Sequence, residues 1–115
     1  MKYSDIFCDW LVEAGFTKCF YVAGGNIMHL LESARHRFEC RPMVHEVACV
    51  IGAEYFNQFC SAEEKAFALV TAGPGLTNAI TGIAGAFLQN HSVLVVGGQV
   101  KSTDLAGGGL RQRGI

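Results

Sequence analysis

The sequence predicts an α/β domain organised around a parallel sheet. Three observations point there: short apolar runs lack polar alternation, each closes on a glycine-rich or small polar turn, and each is followed by a segment with helical spacing of its apolar residues. Strands that are apolar on both faces need cover on both faces, which places helices above and below the sheet. At 115 residues the chain is long enough for one core.

The first helix is predicted over residues 4–14, where Ile6, Phe7, Trp10, Leu11 and Ala14 share one face, Ser4 or Asp5 can cap the start, and Gly15 follows the end. A strand over 17–22 then breaks at Ala23-Gly24-Gly25. Ile27, Leu30, Leu31 and Ala34 mark the next helix, over 26–37. A short strand over 41–44 leads through His45-Glu46 into a mostly buried helix over 47–59. The third strand, 65–71, ends at Ala72-Gly73-Pro74-Gly75, and a helix follows over 77–88. The fourth strand spans 92–98, and the remainder from Gln99 to Ile115 is polar and glycine-rich.

In open parallel sheets ligands bind beyond the carboxyl ends of the strands. Those ends carry Gly24-Gly25, His45-Glu46, Thr71 to Gly75, and Gly97-Gly98-Gln99, so all four can line one crevice. Without Cβ atoms, Gly73 and Gly75 allow close backbone approach, and Pro74 suits a first helical turn. The turn either serves a ligand or simply redirects the chain; spacing alone leaves both open. The dinucleotide fingerprint and the phosphate loop ending in Gly-Lys-Ser/Thr are absent.

Glu46 stands just after a strand and ahead of Val47, Ala48, Val50 and Ile51. A carboxyl among such neighbours loses hydration and holds its proton more tightly. The competing reading is a solvated first-turn residue favoured by the helix macrodipole. His29, His36, His45 and His91 form no metal-ligand spacing and receive no role. Ala79, Gly82, Ala84, Gly85 and Ala86 read as small residues that let a helix sit close to the sheet or to another subunit.

A net charge of -1, without basic clusters interleaved with aromatics, argues against nucleic acid. No apolar run approaches about 18 residues and the amino terminus lacks a signal-peptide core, so neither a membrane span nor export is expected, and a cytoplasmic location is. Cys8, Cys19, Cys40, Cys49 and Cys60 are odd in number and form no C-x-x-C pair, which suits free thiols better than a disulfide framework or zinc.

The stretches "VAGGNIMHLLE", "VHE", "LVTAGPGLTNAITGIAGAFL" and "VLVVGGQV", in this order and at this spacing, resemble the amino-terminal pyrimidine-binding domain of thiamine-diphosphate enzymes, most of all the acetolactate-synthase-like group. The resemblance implies a three-layer α/β/α thiamine-diphosphate-binding fold over residues 1–115, incomplete at its C-terminal end. It implies that Glu46 hydrogen-bonds the pyrimidine N1′ of thiamine diphosphate and activates the cofactor as general acid/base. It further implies that Gly24, Gly25, Gly73, Pro74, Gly75, Asn78 and Gln99 border the cofactor. Mg²⁺ would be held by ligands in a diphosphate-binding domain that this chain lacks, supplied by a neighbouring subunit of a homo-oligomer.

The activity implied is decarboxylation of a 2-oxo acid with carboligation or release, by a longer enzyme of which this is the amino-terminal part. A separately encoded pyrimidine-binding subunit and a non-catalytic interaction module are the alternatives. Two departures from the family pattern stand out: Ala23-Gly24-Gly25 where many relatives have Pro-Gly-Gly, and Glu54-Tyr55-Phe56-Asn57 in place of Gly-Tyr-Ala-Arg.

Overall fold

The computed structural model describes residues 2–60 and 62–102. Within them the chain runs α1 (Tyr3–Glu13), β1 (Phe16–Tyr21), a short 3₁₀ turn (Gly25–Ile27), α2 (Met28–Arg35), β2 (Glu39–Pro42), α3 (Glu46–Tyr55), a π turn (Phe56–Cys60), β3 (Lys65–Val70), α4 (Pro74–Gln89) and β4 (Leu94–Gly97). All three strand pairings are parallel, and the order across the sheet is β2-β1-β3-β4. The polar tail expected beyond residue 102 lies outside the described residues.

The expected class and layering are present. On one face Cys8 and Leu11 of α1, with Ile27, Ala34 and Phe38, pack against Cys19, Phe67 and Leu69 of the sheet. On the other, Cys49 and Val50 of α3 and Ala79 of α4 pack against Ala68 and Val70. The central strand β3 therefore sends Phe67 and Leu69 to one layer and Ala68 and Val70 to the other, buried on both sides. That is why its sequence shows no polar alternation.

Boundaries moved at two places that matter. The second strand lies at Glu39–Pro42, two residues ahead of the predicted 41–44. Pro42 can end it because β2 is an edge strand with one pairing partner, and the Met43 N–H continues the ladder to the Tyr21 carbonyl at 2.8 Å. Helix α4 begins at Pro74, three residues before the predicted start, with the proline in the first turn where a missing N–H goes unneeded.

The segment Glu54 to Asn57 is structural at the opposite end of the sheet from the strands' carboxyl edge. Asn57 accepts from the Ala66 N–H at 2.7 Å and donates to the Ala66 and Ser92 carbonyls, which ties the π turn to the start of β3. Glu54, 3 % exposed, meets His91 Nδ1 at 2.7 Å, so a histidine given no role in the sequence accompanies the buried carboxyl. Among the described residues no helix is long and apolar enough to cross a membrane.

Helices α3 and α4 cross closely because Gly82 lacks a side chain: a Cβ there would lie 2.6 Å from Val50 Cβ. Three residues on, a Cβ at Gly85 would meet nothing within 4 Å. Gly82→Ala is therefore expected to destabilise the chain by about 1–3 kcal/mol through overpacking, whereas Gly85→Ala is expected to stabilise it by up to about 1 kcal/mol through helix propensity. Urea unfolding midpoints of the two variants check this; equal shifts would contradict the packing.

Candidate functional site

The strand order places the switch point between β1 and β3, because the chain moves outward from β1 to β2 and then crosses back to β3. Ligand crevices of open parallel sheets form beside such points. At this edge the turns after β1, β3 and β4 interlock through two side chains. The Thr71 side chain sits where side chains on two glycines would otherwise be: a Cβ on Gly24 would fall inside its Cγ2 methyl, and one on Gly75 would lie 2.5 Å from its Oγ1. Asn26 accepts the Ala72 N–H on Oδ1 at 3.1 Å, and a Cβ on Gly98 would lie 2.5 Å from the same oxygen. The Gly98 N–H in turn bonds the Val70 carbonyl at 2.9 Å.

Gly73 takes φ +67°, a left-handed value that glycine adopts without steric cost, and so turns β3 into α4 within three residues. This brings Asn78, one turn into α4, above the start of α3. His45 caps α3, its Nδ1 accepting the Val47 N–H at 3.2 Å, which requires the imidazole proton on Nε2. The cap sets Glu46 as the first helical residue, half-buried at the edge of the crevice.

Asn78 Nδ2 donates to Glu46 Oε1 at 3.1 Å. The other carboxylate oxygen, Oε2, faces the bare Gly75, 3.6 Å from where a Cβ would stand. One oxygen is thus oriented by an amide while a glycine turn leaves room beside the second. Glu46 occupies the first turn of α3 and is half-buried there. One turn along α3, the Cys49 thiol is pushed up to about 12, first by burial and then by the Glu46 carboxylate, and is no nucleophile.

The structure thus gathers Gly24, Glu46, Gly75 and Asn78. Gly73 is buried in the turn, Pro74 is exposed at the head of α4, and Gly25 opens the 3₁₀ turn with open space at its Cβ position. Gln99, exposed and next to Gly98, accepts the Val100 N–H on Oε1 at 2.9 Å. The sequence placed Thr71 among the strand-end residues that can line the crevice but assigned no role to it or to Asn26. The available signal was a β-branched residue ending a strand before a glycine turn, and an asparagine directly after Gly24-Gly25. The sequence left open what approaches the Gly73-Pro74-Gly75 turn; on one side of it the approach is by the protein's own Thr71.

Residues 1–113 match the family described as thiamine pyrophosphate enzyme, N-terminal TPP binding domain. Among curated proteins, the acetolactate synthase large subunit of Lactococcus lactis subsp. lactis (strain IL1403) is 36% identical over 100 residues, covering 84% of this chain and 17% of its own length. The acetolactate synthase isozyme 3 large subunit of Escherichia coli (strain K12) gives the same figures. The acetolactate synthase large subunit of Buchnera aphidicola subsp. Acyrthosiphon pisum (strain APS) is 33% identical over 95 residues, 81% of this chain and 16% of its own. The chain therefore spans about one-sixth of the length of these relatives.

Because Thr71 occupies the space beside Gly24, Gly24→Ala is expected to cost about 1–3 kcal/mol of stability by overpacking. Adding Thr71→Ala removes the obstructing methyl, so the double variant should recover about 1–2 kcal/mol relative to the sum of the single changes. A double-mutant cycle by chemical denaturation measures the coupling; strict additivity would show that the two turns do not interlock.

Proposed function

The chain belongs to the thiamine pyrophosphate enzymes, matching their N-terminal TPP-binding domain, and we propose that it supplies the pyrimidine-binding side of the thiamine diphosphate site in an acetolactate-synthase-like enzyme acting on a 2-oxo acid. The observation that carries this reading is the pairing of Glu46 with Asn78 at the glycine-lined switch point. A carboxyl with one oxygen anchored and the other beside a turn without side chains is suited to share a proton with a ring nitrogen laid against that turn.

The residues fit the group. Gly24, Gly25, Gly73, Pro74, Gly75, Asn78 and Gln99 would border it, and Glu46 would hold or release a proton at the pyrimidine N1′. Asn78 fixes the carboxyl plane so that this proton is held in one direction. Bound thiamine diphosphate supplies the carbanion-stabilising chemistry, while the protein orients it and limits water.

The diphosphate and Mg²⁺ would be held by a diphosphate-binding domain of a neighbouring subunit in a homo-oligomer. Support for such a neighbour comes from α4, which carries no charged residue between Pro74 and Gln89 yet exposes Ile80, Phe87 and Leu88. An uncharged helix with large apolar side chains in water is typical of a surface that another protein covers.

In the full-length enzyme, Glu46→Gln is expected to slow turnover by about 10²–10⁴-fold, the usual weight of a positioned acid/base, while the affinity for thiamine diphosphate changes little. Proton exchange at C2 of the bound cofactor, followed by NMR, separates the two effects. Exchange at the wild-type rate in the variant would remove Glu46 from cofactor activation.

A further inference from the structure

Away from that site, two cysteines occupy one rung of the sheet. Cys19 of β1 and Cys40 of β2 are direct partners in the parallel register. Both side chains belong to the layer under α1 and α2, Cys19 wholly buried in its core and Cys40 half-buried against it. Adjacent strands lie about 4.8 Å apart, within the roughly 4.4–6.8 Å that a disulfide spans between Cα atoms. Beside them lies a cavity of about 480 Å³ lined by Cys40 together with Tyr21, Met28, Leu31 and Arg35, so Cys40 has an approach from solvent that Cys19 lacks.

We propose that Cys19 and Cys40 form an oxidisable pair, with Cys40 the residue that reacts with a hydroperoxide entering this cavity and Cys19 the residue that closes a disulfide onto it. The Cys40 thiolate attacks one peroxide oxygen, the O–O bond breaks, and the alcohol or water leaves with a proton, giving the Cys40 sulfenic acid. Cys19 sulfur then displaces the hydroxyl, which departs as water with the Cys19 proton, and the S–S bond forms. Two thiols are oxidised by two electrons and one peroxide is reduced.

The roles are unequal for a physical reason. The hydrogen bond from the Cys19 thiol holds Cys40 below the ordinary thiol range, against the opposing effect of burial. The same hydrogen bond and burial both push Cys19 up. As a thiol, Cys40 donates instead to the Phe38 carbonyl at 3.6 Å. The other thiols lack this arrangement: Cys8 is buried and raised by burial, Cys49 lies on the opposite face, and Cys60 is exposed. The bridge would lock β2 to β1 six residues ahead of Glu46.

The test uses the full chain carrying Cys60→Ser, treated with hydrogen peroxide and then digested without reductant. The expected result is loss of two of its four thiols, a linked Cys19–Cys40 peptide pair lighter by two hydrogens, and full reversal by dithiothreitol. Before oxidation, Cys40 should also react with iodoacetamide at least about tenfold faster than Cys8 or Cys49. Cys19→Ala should leave a Cys40 sulfenic acid trapped by dimedone, and Cys40→Ala should leave Cys19 reduced. Retention of all four thiols, equal alkylation rates, or a bridge to Cys8 or Cys49 would overturn the proposal; the linked-peptide result on Cys60→Ser stands even where an Ala variant fails to fold.

Discussion

The packing of Thr71 into the places left by two glycines is the contact on which the candidate site depends. Gly24 belongs to the turn after β1 and Gly75 to the start of α4, so one threonine at the end of β3 packs against both elements. Asn26 completes the lock by taking the Ala72 N–H and by lying against Gly98 beyond β4. Together these contacts fix where α4 begins, and hence where Asn78 stands. The Glu46 carboxyl receives its orientation from that chain of contacts.

The layers behind the edge serve the same end. Ala68 on β3 and Gly82 on α4 keep side-chain volume low where α3 and α4 pack over the sheet, and Val50 takes the space that Gly82 leaves. On the other face the larger Phe67 meets Phe16 and Phe38 edge to face, with ring centroids 5.7 and 5.1 Å apart. The missing side chain at Gly82 lets the helices bearing Glu46 and Asn78 approach closely.

Much of this was legible in the sequence, for reasons that differ by element. The class followed from strands such as the one ending in Leu69-Val70, whose burial on both faces removes polar alternation. Glu46 and the Gly73-Pro74-Gly75 turn were visible because strand ends and glycines mark where a ligand or another chain segment can approach. The roles of Thr71 and Asn26 were not, since Thr71 meets Gly24, and Asn26 meets Ala72 and Gly98, across 46 or more residues, and no local spacing encodes a contact made across the sheet. The displaced β2 had the same cause: its register is set by pairing with β1, where Cys19 meets Cys40, and the apolar Met43-Val44 gave a misleading local signal. The Glu54–His91 pair was equally hidden, joining α3 to the loop before β4.

Under the proposed function, the glycine-lined edge bearing Glu46 and Asn78 receives the pyrimidine of thiamine diphosphate. Titration of the ¹⁵N-labelled chain with thiamine diphosphate, read as amide and Asn side-chain shifts, tests it directly. The largest changes are expected at Gly24, Glu46, Gly75 and the Asn78 side-chain amide, with Met28 and Arg35 beside the α2 cavity unmoved. Changes centred on α2, or none at Glu46 and Asn78 at saturating cofactor, would contradict it.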